Sequence, residues 1–143
     1  MPANEEHNIA VVRRFIDGAV NGHDPAVINE TWSDDLIWHG GSLGTVEGQP
    51  AFEAAFTSNA TSAWSDMHLE IHEVIACGDK VVLRFTISGG NVGAFMGNAP
   101  TGKHAEWLGI RIYTVRDGRI TDGWFAEDIL SLLIQLDVLP APV

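Results

Sequence analysis

The stretch Val115-Arg-Asp-Gly-Arg-Ile-Thr-Asp-Gly-Trp-Phe-Ala-Glu-Asp-Ile-Leu-Ser-Leu-Leu-Ile-Gln135 decides the fold. It reads as the end of a strand, a tight turn at Asp117-Gly118, a returning strand and an amphipathic helix. Asp-Gly between two β-rich runs signals a hairpin, because glycine accepts positive φ without steric cost. The returning strand spans Arg119 to Ala126 and carries Trp124 and Phe125. The closing helix starts near Asp128 and presents Leu130, Leu133, Ile134 and Leu136.

Upstream of this run the period is two. Glu106 to Val115 reads as the longest strand, Val81, Leu83, Phe85 and Ile87 mark another, and Met67, Leu69 and Ile71 alternate with His68, Glu70 and His72 in a third. Gly78-Asp79 reads as a turn, and Gly89 to Gly102 as a glycine-rich loop that also holds His104 nearby. The N-terminal half is helical instead. Val12, Phe15, Ile16 and Ala19 form one stripe of a helix over Glu5–Asn21. Asp24-Pro25 opens a short second helix that ends near Trp32. A short strand, Leu36 to His39, precedes a third helix over Gln49–Ala63, with Phe52, Ala55, Phe56 and Asn59 on one side. Consecutive strands joined by tight turns predict an α+β fold, with a curved antiparallel sheet and helices on its concave side. The hollow between the two layers is the expected ligand site.

At 143 residues with 45% hydrophobic residues, the chain has the size and apolar content of one domain over 1–143. No apolar run reaches the roughly 18 residues of a membrane span. The formal net charge is −11, from 8 basic and 19 acidic residues, and only two lysines are present. Nucleic acid and an anionic membrane surface are therefore excluded as expected partners. The single Cys77 rules out an internal disulfide, fits a reducing cytoplasm, and reads as a small filler at a strand end.

Several side chains can carry chemistry. Trp107, Gly109, Arg111 and Tyr113 share one face of the long strand, while Leu108, Ile110 and Ile112 share the other and read as a plain core stripe. Arg111 among aromatics is the unusual feature. It either lines a pocket or lies on an outer face. A two-residue turn at Asp117-Gly118 sets Trp124 opposite Arg111. A three-residue turn with Gly118 in a bulge sets Gly123 opposite Arg111 and Phe125 opposite Gly109, leaves room around the guanidinium, and is the preferred register. Trp38-His39 sits at a strand end, where a histidine can place a proton donor at a cavity mouth. Asp128 can act as a base or as an ordinary helix N-cap. Glu127, Glu106 and Asp122 read as solvated. His68, Glu70 and His72 on a polar strand face offer weak support for a metal site. No phosphate loop, dinucleotide fingerprint or nucleophile elbow is present.

Taken in order, Asn8 to Phe15, Asn21-Gly22-His23-Asp24, Gly93 to Gly97 followed by Ala99 to Lys103, and Asp117 to Ile120 with Trp124, Asp128 and Leu132 to Leu136 resemble the SnoaL-like polyketide cyclase family. That resemblance covers almost the whole chain and implies an NTF2-like cone, a small hydrophobic ligand, no metal or cofactor, and a homodimer. Family members cyclise polyketide esters with an aspartate base and a histidine that stabilises the enolate. Those positions fall here at Phe125 and Arg111, which departs from the pattern, since phenylalanine takes no proton. The expectation is therefore an enzyme of cyclase or isomerase type on an apolar, oxygenated substrate, with a non-catalytic binding protein, a hydroxylase or an epoxide hydrolase on the same fold as alternatives. Arg111 is expected to stabilise an oxyanion, His39 or Asp128 to move the proton, and Trp38, Trp107, Tyr113, Trp124 and Phe125 to line the substrate.

Overall fold

The computed structural model describes residues 3–142. Helix α1 spans Ala3–Phe15 and continues as a wider turn over Ile16–Val20. Helix α2 spans Val27–Thr31, β1 Trp32–His39, β2 Thr45–Glu47 and α3 Gln49–Phe56. Strands β3 (Trp64–Cys77), β4 (Lys80–Asn91), β5 (His104–Arg116) and β6 (Arg119–Glu127) follow, and α4 (Ile129–Gln135) closes the chain. The strands form one curved sheet in the order β2-β1-β6-β5-β4-β3. The α1 stripe of Val12, Phe15, Ile16 and Ala19 is fully buried, as are Val81, Leu83 and Phe85 of β4. Helices and inner sheet face meet in an aromatic core, where Phe15 contacts Trp32, Phe52 and Tyr113 at centroid distances of 5.3–6.3 Å.

Four features differ from the sequence expectation. First, β1 runs parallel to β6, with Trp38 beside Gly123, although every other pair is antiparallel. Hairpins force antiparallel pairing only between chain neighbours, and the long connection between β1 and β6 leaves their direction free. Second, β4 runs through Gly89 and Gly90, which pair with Ala105 and His104, so the loop is shorter and His104 lies on β5. Third, Leu108, Ile110 and Ile112 are not core. They are 58%, 46% and 43% exposed on the outer face, because all the helices cover the opposite side.

The fourth difference is the β5–β6 register, which matches neither alternative. Asp117 and Gly118 both have positive φ, 51° and 77°, and make a two-residue turn that pairs Arg116 with Arg119. That combination is the type I′ turn, whose twist suits a hairpin. An irregularity then follows on β6, where Thr114 pairs with Asp122 while Val115 pairs with Ile120. The extra residue is Thr121. It shifts the pairing by one, so Arg111 faces Phe125 and Gly109 faces Glu127.

Candidate functional site

The inner face of β5 presents Trp107, Gly109, Arg111 and Tyr113, and the shifted β6 sets Phe125 and Glu127 beside them. Arg111 is only 6% exposed. Its guanidinium lies 3.9 Å from the Phe125 ring centroid and 4.6 Å from that of Phe85. Two aromatic faces therefore substitute in part for water around the charge. Nη2 donates to Glu127 Oε2 at 3.0 Å and Nη1 to Tyr113 Oη at 3.2 Å. Trp107 Nε1 donates to the other Glu127 oxygen at 3.0 Å. Burial on its own disfavours the charged guanidinium. The facing Tyr113 and Glu127 outweigh it and hold the Arg111 pKa above its ordinary value. Burial likewise raises the Tyr113 pKa, against the opposing pull of Arg111.

Gly109 makes the Arg111–Glu127 contact possible. A Cβ there would stand 2.3 Å from Phe85 Cζ and 2.7 Å from Glu127 Cγ. Without a side chain at 109, the Glu127 stem crosses β5 and reaches the guanidinium. Four buried donors among the described residues have no hydrogen-bond partner, Trp32 Nε1 and Ser33 Oγ away from the cavity, and Arg111 Nε and Trp38 Nε1. The last two belong together. Both residues line one inner cavity of about 60 Å³, together with Phe52, Trp107, Phe125 and Glu127. The α3 side that the sequence singled out, Phe52, Ala55, Phe56 and Asn59, forms the facing wall. Buried donors left unpaired cost stability, so they mark where a ligand's acceptor oxygens would be held.

The candidates from sequence separate into two groups. Arg111, Trp38, Trp107 and Phe125 come together on the cavity wall. Tyr113 is fully buried behind Arg111 and contacts the guanidinium rather than the cavity. Trp124 and His39 are elsewhere, because strand alternation turns them outward from Phe125 and Trp38. Their rings stack at 3.7 Å, and Trp124 is 57% exposed. His39 Nε2 lies 3.5 Å from Asp122 on that same outer face. Asp128 does not reach the cavity either. It is exposed, and its Oδ1 accepts from Ser131 N at 3.0 Å, the geometry of a helix N-cap. Glu127, expected in solvent, is the carboxylate that enters the site. Its signal was the period-two series Gly123, Phe125, Glu127, which puts it on the same face as Phe125.

His72 bonds Thr86 Oγ1 at 2.7 Å, and no cluster of three or more His, Cys, Asp or Glu is placed for a metal among the described residues. No helix among them is long and apolar enough to cross a membrane.

The fold recurs in solved structures. A protein assigned as a SnoaL-like polyketide cyclase from Jannaschia sp. CCS1 superposes with a TM-score of 0.85, at 23% identity over 98% of each chain. AclR, assigned as a hydroxylase from Streptomyces galilaeus, gives 0.82 at 24% identity, over 97% of this chain and 86% of its own. An LEH-like epoxide hydrolase of M. tuberculosis gives 0.73 at 16% identity, over 94% of this chain and 92% of its own. No curated protein matches. The model of the SnoaL-like polyketide cyclases matches residues 10–136, and with that span of its length the chain belongs to the SnoaL-like polyketide cyclase family.

Proposed function

We propose that the protein is a cofactor-independent acid–base enzyme acting on a small, largely apolar, oxygenated substrate through cyclase- or isomerase-type chemistry. Arg111 and Glu127 are its paired working groups. The observation that carries this reading is their meeting at 3.0 Å on the wall of an otherwise apolar cavity. A binding protein needs no such convergence of a carboxylate and a cation. In the first step the Glu127 carboxylate takes a proton from the carbon next to a ketone or ester carbonyl. The electron pair moves onto the carbonyl oxygen, and the resulting enolate is held by the Arg111 guanidinium. In this low-dielectric site a preorganised donor is far more effective than in water. The enolate carbon then attacks a second carbonyl of the substrate, whose π pair moves to its oxygen and takes the proton back from Glu127, or the proton returns from Glu127 to a second carbon; either completes the reaction. Trp38, Trp107 and Phe125 pack around the reacting carbonyl end and keep water from it. Phe125 stands where the family's cyclases carry their aspartate base, and Glu127, two residues on and on the same face, takes over that role.

The test is proton exchange into 2-tetralone in D2O, followed by NMR. Wild-type protein is expected to accelerate exchange beside the carbonyl, and Glu127→Gln and Arg111→Met to lower it by about a hundredfold or more. A second reading, a non-catalytic binder, draws on the way Arg111 and Glu127 neutralise each other. Saturable binding of the ketone with no exchange would select it.

The chain is further proposed to work as a homodimer in a reducing cytoplasm. Trp124, Ile112, Val82 and Ile75 lie side by side across β6, β5, β4 and β3 on the outer face. An apolar row spanning four strands is more than the scattered single residues usual on a monomer, and a second copy would cover it. Sedimentation at micromolar concentration is expected to give the dimer mass, and Ile112→Lys the monomer mass.

A further inference from the structure

The inner cavity is too small to hold a substrate of any length. Its 60 Å³ accommodates about four to six waters, at roughly 10–15 Å³ for each probe position. Beside it lies a groove of about 500 Å³ on the outer side, bordered by His39, Ile110, Trp124 and Ala126. Leu43, Phe125, Glu127 and Ile129 line both spaces. The two spaces adjoin at these four residues, and Glu127 is one of them.

Of these four, Phe125 and Glu127 are fixed in β6 and Ile129 begins α4, whereas Leu43 sits on a short turn between β1 and β2. The turn's backbone bonds close within it. Gly40 N donates to Gly44 O at 2.7 Å, Leu43 N to Gly40 O and Gly44 N to Gly41 O, both at 3.0 Å. The turn can therefore swing without losing a hydrogen bond to the sheet. Three of its five residues are glycines, and Gly41 and Gly44 already have φ of 61° and 91°.

The far side of the cavity is built differently. There Phe95 lines the wall from the loop after β4. That loop is tied down by Asn91, 1% exposed, whose Oδ1 accepts from Thr101 N at 2.8 Å and whose Nδ2 donates to Ala63 O and Gly93 O at 3.2 and 2.9 Å. Opening that side would break a buried network, whereas opening the Leu43 side breaks none.

We propose that the Gly40–Gly44 turn is a gate, with Leu43 as its bolt, and that the substrate has two parts. A carbonyl-bearing head enters past Leu43 to Arg111 and Glu127, and an apolar or aromatic body stays in the outer groove against Ile110 and Ala126. This rests on the reading of the inner cavity as the site of the reacting carbonyl. The proposed partner copy borders the same groove at Ile112 and Trp124.

The experiment is stopped-flow binding of 6-propionyl-2-dimethylaminonaphthalene, a neutral aryl ketone whose emission shifts in an apolar site. The full chain is used at one concentration. Leu43→Trp is expected to slow association at least tenfold, and Leu43→Ala to speed it about threefold. Thr61→Trp plugs another hollow, of about 50 Å³, which adjoins the inner cavity at Val20, Phe56, Ala60 and Met67 and is the competing way in; it is expected to leave the rate within twofold. Wild-type association in both Leu43 variants, or slowing by Thr61→Trp, overturns the gate while leaving the cavity reading standing. If Leu43→Trp fails to fold, the Leu43→Ala rate decides alone. Absence of saturable binding by wild type, or binding indifferent to Arg111→Met, overturns the cavity reading and the gate with it.

Discussion

The two faces of β5 carry opposite chemistry. The inner face holds a guanidinium, a phenol and a glycine, with Arg111 only 6% exposed, while the outer face leaves Leu108, Ile110 and Ile112 at 58%, 46% and 43%. A simple hydrophobic rule would turn this strand over. What decides the orientation is the neighbouring strand and the covering helices. Inside, Glu127 and Tyr113 accept from the two terminal nitrogens of the arginine, Phe85 and Phe125 cover its faces, and Nε is left without a partner. Outside, the isoleucines have no helix to meet. Burying the charge and exposing the apolar residues reverses the usual arrangement of a strand at a protein surface.

Breaking the inner face should have the largest effect. Arg111→Ala leaves Glu127 buried without its cation, and the expected loss is about 3–5 kcal/mol in urea unfolding. Arg111→Met with Glu127→Leu should recover most of that stability while proton exchange stays absent. A double variant as unstable as the single one would mean that the ion pair is not the reason for the loss. Gly109→Ala comes next. Its Cβ would press on Phe85 and Glu127, so about 1–3 kcal/mol should be lost.

Tyr113 offers a pH test of the same face. Burial keeps its folded pKa above the ordinary 10.0, so the unfolded chain ionises first. This contribution to stability is fully present below about pH 10 and is lost as pH rises through the folded pKa, at up to about 1.4 kcal/mol per pH unit. Tyr113 is the chain's single tyrosine, so tyrosinate absorbance follows it directly. Its ionisation should coincide with alkaline unfolding, and Tyr113→Phe should flatten the dependence. Tyrosinate appearing well before unfolding would contradict this.

The remaining effects are small. Asp128→Ala should cost about 1 kcal/mol through loss of the α4 cap, and Asp128→Asn close to nothing. Neither should alter proton exchange, and a large change in exchange would restore Asp128 to the site. On the outer face, Leu108→Thr should change unfolding of the dilute protein by about 0.5 kcal/mol or less.

The element order, the helical stripes and most strand faces were legible in the sequence because they follow from local periodicity. Phe52, Ala55, Phe56 and Asn59, read as one side of a helix, all meet at the cavity. The β5–β6 register was not legible. Thr121 carries no sign that it is the extra residue, yet it decides what faces Arg111. Neither register that the turn suggests sets Glu127 opposite Gly109, so nothing in the sequence marks it as the partner of Arg111. His39 follows Trp38 on a regular strand, so alternation puts it on the outer face with Trp124 while Trp38 lines the cavity. The parallel pairing of β1 with β6 joins segments about 85 residues apart, beyond the reach of local pattern.

The most direct test of the central claim is a crystal structure of the wild-type protein with bound 2-tetralone. The carbonyl oxygen is expected within about 3 Å of an Arg111 nitrogen, with the adjacent methylene carbon facing a Glu127 oxygen. A ketone seated with its carbonyl away from Arg111, or held only by His39 and Trp124 on the outer face, would contradict the account.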